Sequence, residues 1–236
     1  MPRASKRKSD PPNSASVKSS HVDCVRSASK KPTLKEVEHR DNLFYSYANC
    51  SSGMIDPEGI EALCLDVGVD HTDVRILMLA WKMNAEKQGF FTLDEWRGGL
   101  KALRVDTIKK LKKSLSELEK EVWTPRNFED FYSYAFRYCL TEEKQKYIDI
   151  ESICELLNLI LGSQFQSQVD LFTEYLRIQD DYKVMNMDQW IGFFRFCNEI
   201  SFPDLQNYDL SQAWPLILDN FVEWVREKYK PTSDDS

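Results

Sequence analysis

Residues 84–95 read Asn84-Ala85-Glu86-Lys87-Gln88-Gly89-Phe90-Phe91-Thr92-Leu93-Asp94-Glu95. Glycine at the sixth place, an apolar residue at the eighth and glutamate at the twelfth form the frame of an EF-hand loop. In such a unit a loop joins two helices, and its apolar residues pair with those of a second loop. Three other stretches end in the same way as this one. Met54-Ile55-Asp56, Tyr147-Ile148-Asp149 and Val184-Met185-Asn186 each place an apolar pair before a small polar residue, as Phe90-Phe91-Thr92 does. That polar residue is suited to cap the helix that follows. The polar positions 56, 92, 149 and 186 are separated by 36, 57 and 37 residues. Two similar outer intervals around a longer one predict two pairs of helix-loop-helix units.

Between the pairs, Ile108, Leu111, Leu115, Leu118 and Val122 recur at helical spacing, which predicts an amphipathic connector over 106–122 with Asp106 as its cap. Phe128, Phe131, Tyr132, Ala135, Phe136 and Cys139 repeat the pattern in the next segment. The expected fold is all-α, with two packed helical subdomains built from degenerate EF-hand-like units. Their bounds are 33–105 and 126–230, joined by 106–125. Residues 1–32 and 231–236 are expected to be disordered.

Charge is divided unevenly. Of 31 Lys and Arg and 38 Asp and Glu in 236 residues, eight bases and two acids fall in residues 1–32. This leaves 23 bases against 36 acids in the rest. The first segment has eight Ser, four Pro and no aromatic residue, so it lacks the apolar surface needed to fold. Arg3, Lys6, Arg7 and Lys8 make a short basic cluster that suits a nuclear import receptor; a solubilising tail is the equal alternative. An acidic body opposes binding to phosphate backbones, so no nucleic acid is expected as a partner. No apolar run of eighteen residues occurs, which argues against a membrane span or membrane partner. The expected location is the nucleus and cytoplasm.

The same loops argue against a metal. Where hard oxygen ligands are required, residues 84–95 offer Asn84, Glu86 and Gln88, leaving Glu86 and Glu95 as the only charged candidates. The first loop has Gly59 in place of the bidentate glutamate, and the later two carry Lys146 and Lys183 where the turn needs glycine. A metal-free, cofactor-free scaffold is therefore expected, with a calcium-responsive adaptor as the alternative. No nucleophile, zinc or phosphate-loop motif appears, and the six cysteines form no CxxC pair. The chain is not expected to be an enzyme in its own right.

Toward the C-terminus, Trp214, Ile217, Phe221 and Trp224 suggest the inward stripe of a helix capped by Asp209 or Ser211. Asp219 then points outward, beside the small Ala213. Asn207-Tyr208-Asp209, Ala213-Trp214-Pro215, Asp219 and Phe221-Val222-Glu223 form a distinctive series. Together with Met185-Asn186-Met187-Asp188-Gln189-Trp190 and Leu79-Ala80-Trp81-Lys82, it closely resembles the defective-in-cullin-neddylation (Dcn1-like) family over residues 40–228.

This resemblance implies a potentiating-neddylation domain that acts as an accessory ligase without catalytic residues. Such a protein holds a cullin and a charged conjugating enzyme together while a ubiquitin-like modifier passes to the cullin. The family's acid-alanine-acid patch for the cullin C-terminal region maps onto Asp188, Ala213 and Asp219. Its apolar pocket for the acetylated N-terminal Met of the conjugating enzyme maps onto Ile60, Ile76, Leu79, Gln88, Phe91, Tyr138, Leu156 and Leu159. Outside such complexes a monomer is expected. Leu210, Ser211 and Gln212 depart from the acidic or glycine pair often found there, and Tyr138 replaces a common Phe, adding a hydroxyl that needs a partner if buried.

Overall fold

A computed structural model describes residues 33–230. The basic cluster Arg3, Lys6, Arg7 and Lys8 lies outside the described residues, as do residues 231–236. Four helices come first: α1 (Leu34–Tyr45), α2 (Pro57–Val67), α3 (Val74–Met83) and α4 (Leu93–Leu103). They are followed by α5 (Ile108–Val122), α6 (Pro125–Tyr138), α7 (Ile150–Leu161), α8 (Gln166–Ile178), α9 (Met187–Glu199) and α10 (Leu216–Lys228). The short strands β1 (Tyr147–Asp149) and β2 (Val184–Asn186) form the one ribbon among the described residues. The fold is all-α.

The four apolar-pair loops meet two by two. In the first half, Ile55 and Phe91 form an antiparallel bridge whose two N–H groups donate across at 3.0 and 2.9 Å. In the second half β1 and β2 run antiparallel, with the buried Ile148 opposite the buried Met185. The next residue caps the outgoing helix in every case. Asp56, Thr92, Asp149 and Asn186 accept the N–H of Gly59, Glu95, Ser152 and Gln189, and the Thr92 and Asn186 boxes are reciprocal.

Gly89 explains the sharp turn of the second loop. Its φ is +78°, a conformation that a side chain disfavours. Glu95 closes this loop from within, its oxygens accepting from the N–H groups of Glu86 at 2.9 Å and Thr92 at 2.7 Å. The carboxylate at the twelfth place is thus committed to protein donors.

Two helix starts differ from the sequence reading. The cap of α5 is Thr107, whose hydroxyl accepts from Lys110 N–H; Asp106 instead pairs with the Lys110 ammonium at 2.6 Å. Both residues are sound caps, and the backbone selects the one adjacent to the first helical residue. The last helix starts later than Asp209 or Ser211 would place it, because Pro215 is its N-cap and no side chain caps it. Trp214 is buried, but it precedes the helix and is not part of its stripe.

Helix α5 packs against α2, α3, α4 and α6; α6 also reaches α3 and α9. The α6–α9 contact centres on Tyr132 and Trp190, stacked at 4.3 Å and 9°. Each donates to the other's backbone: the Tyr132 hydroxyl to Trp190 O and the Trp190 indole to Tyr132 O, both at 3.0 Å. Phe193 on α9 stacks on Phe172 of α8 at 4.1 Å, and Phe196 meets Phe221 of α10 edge-on.

The cap at Asp149 gives a pH-dependent expectation. Its carboxyl lies below the ordinary aspartate range, mainly because Ser152 N–H donates to the charged form. A depressed folded value stabilises above the unfolded value near 4 and is lost as pH falls through the folded value. Asp149→Ala should lower the thermal midpoint by about 2–4 °C at pH 7, as expected from a cap worth about 1 kcal/mol. The difference between variant and parent should shrink below about pH 4, which melting curves across pH would check.

Candidate functional site

The segment between α9 and α10 has no regular structure, and side chains hold it in place. Asn207 ties its start to the end of α9, donating to Glu199 O at 2.7 Å and accepting from Ser201 N–H at 2.7 Å. Tyr208 turns inward and donates its hydroxyl to Asp219 Oδ1 at 2.8 Å. Asp209 accepts from Ser211 N–H, closing the next turn. Trp214 is buried and stacks on Tyr208 at 5.3 Å, while the Arg195 guanidinium of α9 covers its ring at 4.1 Å. Arg195 also donates to Gln212 Oε1 at 3.2 Å, so the residues around Ala213 are fastened to α9.

Pro215 completes the docking. A Cβ on Gly192 of α9 would lie 2.7 Å from Pro215 Cγ and 3.4 Å from Leu218, so only glycine admits this approach. Asp188 is one helical turn before Gly192 on the same face of α9. Pro215 thus seats the segment that carries Ala213, and the start of α10 that carries Asp219, against α9, whose first turn carries Asp188. Asp188 and Ala213 are exposed, and Asp219 is half-buried. The structure refines the outward reading of Asp219, because one of its oxygens is engaged by Tyr208. Among the described residues, this is the hydrogen bond that its side chain makes.

Burial, followed by the bond to Asp219, pushes the Tyr208 hydroxyl far above its ordinary value, so it remains a donor. Asp188 lies in the first turn of α9, where the helix dipole favours a carboxylate.

The eight residues expected to line an apolar pocket are divided by the structure. Gln88, Leu156 and Leu159 line a cleft of about 690 Å³, together with Cys139, Ile148 and Thr72. Leu159 is 37% exposed there. Tyr138 is buried at the adjacent position, and its oxygen accepts from Gly89 N–H at 3.1 Å; the extra hydroxyl thus has its partner. Burial pushes this phenol up to about 12 despite that bond. Leu79 and Phe91 are each 1% exposed and belong to the core rather than to the cleft wall. Ile60 and Ile76 are half-buried and do not line it. The helical spacing that marks pocket residues also marks core residues, so periodicity alone cannot separate them.

Four thiols are poorly suited to nucleophilic chemistry. Burial pushes Cys64, Cys139 and Cys154 to about 11, and Cys197 higher still. No group of three His, Cys, Asp or Glu able to hold a metal occurs among the described residues.

A second groove was not anticipated from sequence. It holds about 490 Å³ and is floored by Trp123, Phe128 and Phe194, with Ile191, Arg195 and Glu199 at its side. These residues come from α9 and from the α5–α6 corner, whose proximity no local pattern reveals.

Comparison with known proteins finds relatives over most of the chain. A family model described as cullin binding matches residues 110–224. DCN1-like protein 4 of Danio rerio is 36% identical over 97% of this chain and 81% of its own length. Human DCN1-like protein 5 is 38% identical over 80% of this chain and 77% of its own. Human DCN1-like protein 4 is 40% identical over 78% of this chain and 62% of its own.

The glycine contact is testable. Gly192→Ala should cost about 1–3 kcal/mol in urea unfolding, because the added methyl must displace Pro215. The equivalent change at Gly98 on α4, where a Cβ meets nothing within 4 Å, should leave stability unchanged or raise it.

Proposed function

The chain belongs to the DCN1-like family, and on that premise we propose that it binds a cullin and promotes attachment of a ubiquitin-like modifier as a non-catalytic co-ligase. The observation that supports this reading is the seating of Pro215 and Leu218 against Gly192, which sets the segment of Ala213 and the first turn of α10, with Asp219, against the helix that begins at Met187 and carries Asp188. Two carboxylates flanking a small residue suit a basic cullin surface that approaches closely at the alanine. The cleft bordered by Gln88, Leu156 and Leu159 supports a second role. It is large enough for a peptide terminus, and its leucines favour an apolar side chain. An acetylated terminus suits it, because acetylation removes an ammonium that would be costly to desolvate.

The mechanism that follows is positional. Binding the cullin at one surface and the conjugating enzyme at another turns a bimolecular encounter into one between tethered groups. No proton transfer by this chain is required. The perturbed groups agree with that role, since the buried thiols and phenols shift away from reactivity at neutral pH.

Charge reversal tests the cullin patch. Asp219→Lys should abolish binding of a cullin C-terminal fragment in calorimetry while circular dichroism retains the helical signal; undiminished binding would refute the assignment. Raising salt should weaken the parent complex mainly through slower association. For the cleft, an acetylated N-terminal peptide of the conjugating enzyme should bind more tightly than its unacetylated form, and Leu159→Asp should erase the preference.

A further inference from the structure

Tyr208 has no role in the cullin reading, although its hydroxyl is the group nearest the proposed docking acid. It is 5% exposed, and its ring is held between Trp214 at 5.3 Å and Phe196 at 5.9 Å. The backbone before it is anchored by Asn207 to the end of α9. A hydroxyl mounted so firmly has one direction to point, and it points at Asp219 Oδ1.

We propose that Tyr208 is a positioning residue for cullin docking: by donating to Oδ1 it fixes the Asp219 carboxylate so that Oδ2 faces the partner's cation. The proposal rests on the reading of Asp219 as a cullin-binding acid. Asp219 is in the first turn of α10, beyond an N-cap that offers no side-chain hydrogen bond. Without Tyr208, its carboxylate is free to rotate, and binding must then order it. Ordering one such side chain costs enough to change affinity about two- to tenfold. The hydroxyl also withdraws some charge from the carboxylate, an opposing effect. At a half-exposed site this effect is reduced by solvent, and orientation dominates.

Calorimetry with a cullin C-terminal fragment, using the full chain and the variants Tyr208→Phe, Asp219→Asn and their combination, tests the proposal. Tyr208→Phe keeps the stacked ring and should weaken binding about fivefold, within the range for one ordered side chain. In the Asp219→Asn background the same change should have little further effect, because Tyr208 acts through the carboxylate. A 4-aminophenylalanine at position 208, which keeps both ring and donor, should restore affinity. Unchanged binding by Tyr208→Phe while Asp219→Asn weakens it would overturn the positioning role and leave the cullin patch standing. An undiminished loss in the Asp219→Asn background would overturn it as well, showing a structural effect of the tyrosine. Parent-like binding by Asp219→Asn would remove the underlying reading and the proposal with it.

Discussion

The reciprocal grip between Tyr132 and Trp190 is the constraint on which the molecule's second half depends. Each ring stacks on the other, and each donates to the other's main chain, so α6 and α9 are fixed in both rotation and translation. Two satisfied hydrogen bonds contribute about 1 kcal/mol each, and the stacked pair about 0.5–1.5 kcal/mol beyond its buried area. Specificity matters more here than the sum. Sliding α9 by one residue would leave two buried side-chain donors without partners, a penalty that ordinary apolar packing does not impose.

With α9 fixed, the segment before α10 has a rigid surface to settle on. It uses a different residue for each attachment: Asn207 to the helix end, Trp214 beneath Arg195, and Pro215 on Gly192. These attachments give physical content to the Asn-Tyr-Asp and Ala-Trp-Pro elements. Most of their residues hold the segment in place, and Ala213 is the exposed position they leave free.

The helical periods and loop endings were legible because their causes are local. An apolar pair followed by Asp, Thr or Asn sets both a ribbon partner and a helix cap, and all four places obey this. The start of α10 was misread because Asp209 and Ser211 have the chemistry of caps. Here they use it on each other, and tertiary docking of Pro215 decides where the helix begins. Which of the expected pocket residues reach the cleft surface was not legible, for a related reason. Leu79 and Phe91 are as apolar as Leu156 and Leu159, but depth below the surface depends on which element covers them. The groove at Trp123 and Phe194 joins residues separated by about seventy positions, which no window of sequence contains.

Function by placement puts a demand on this architecture that catalysis by a mobile loop would not. If two partners are to be held so that one reacts with the other, freedom in the holder dilutes the effective concentration that it supplies. On the proposed reading, a connecting segment anchored by three kinds of interaction, with the Tyr208 hydroxyl bonded to Asp219, reduces that freedom at the proposed cullin surface. The body's excess of acids adds reach, since exposed charge attracts a basic partner over roughly a Debye length before contact. Long-range charge and short-range rigidity then have separate tasks. In the proposed mechanism the first sets how often a partner arrives, and the second how well its reactive lysine is aimed once it has.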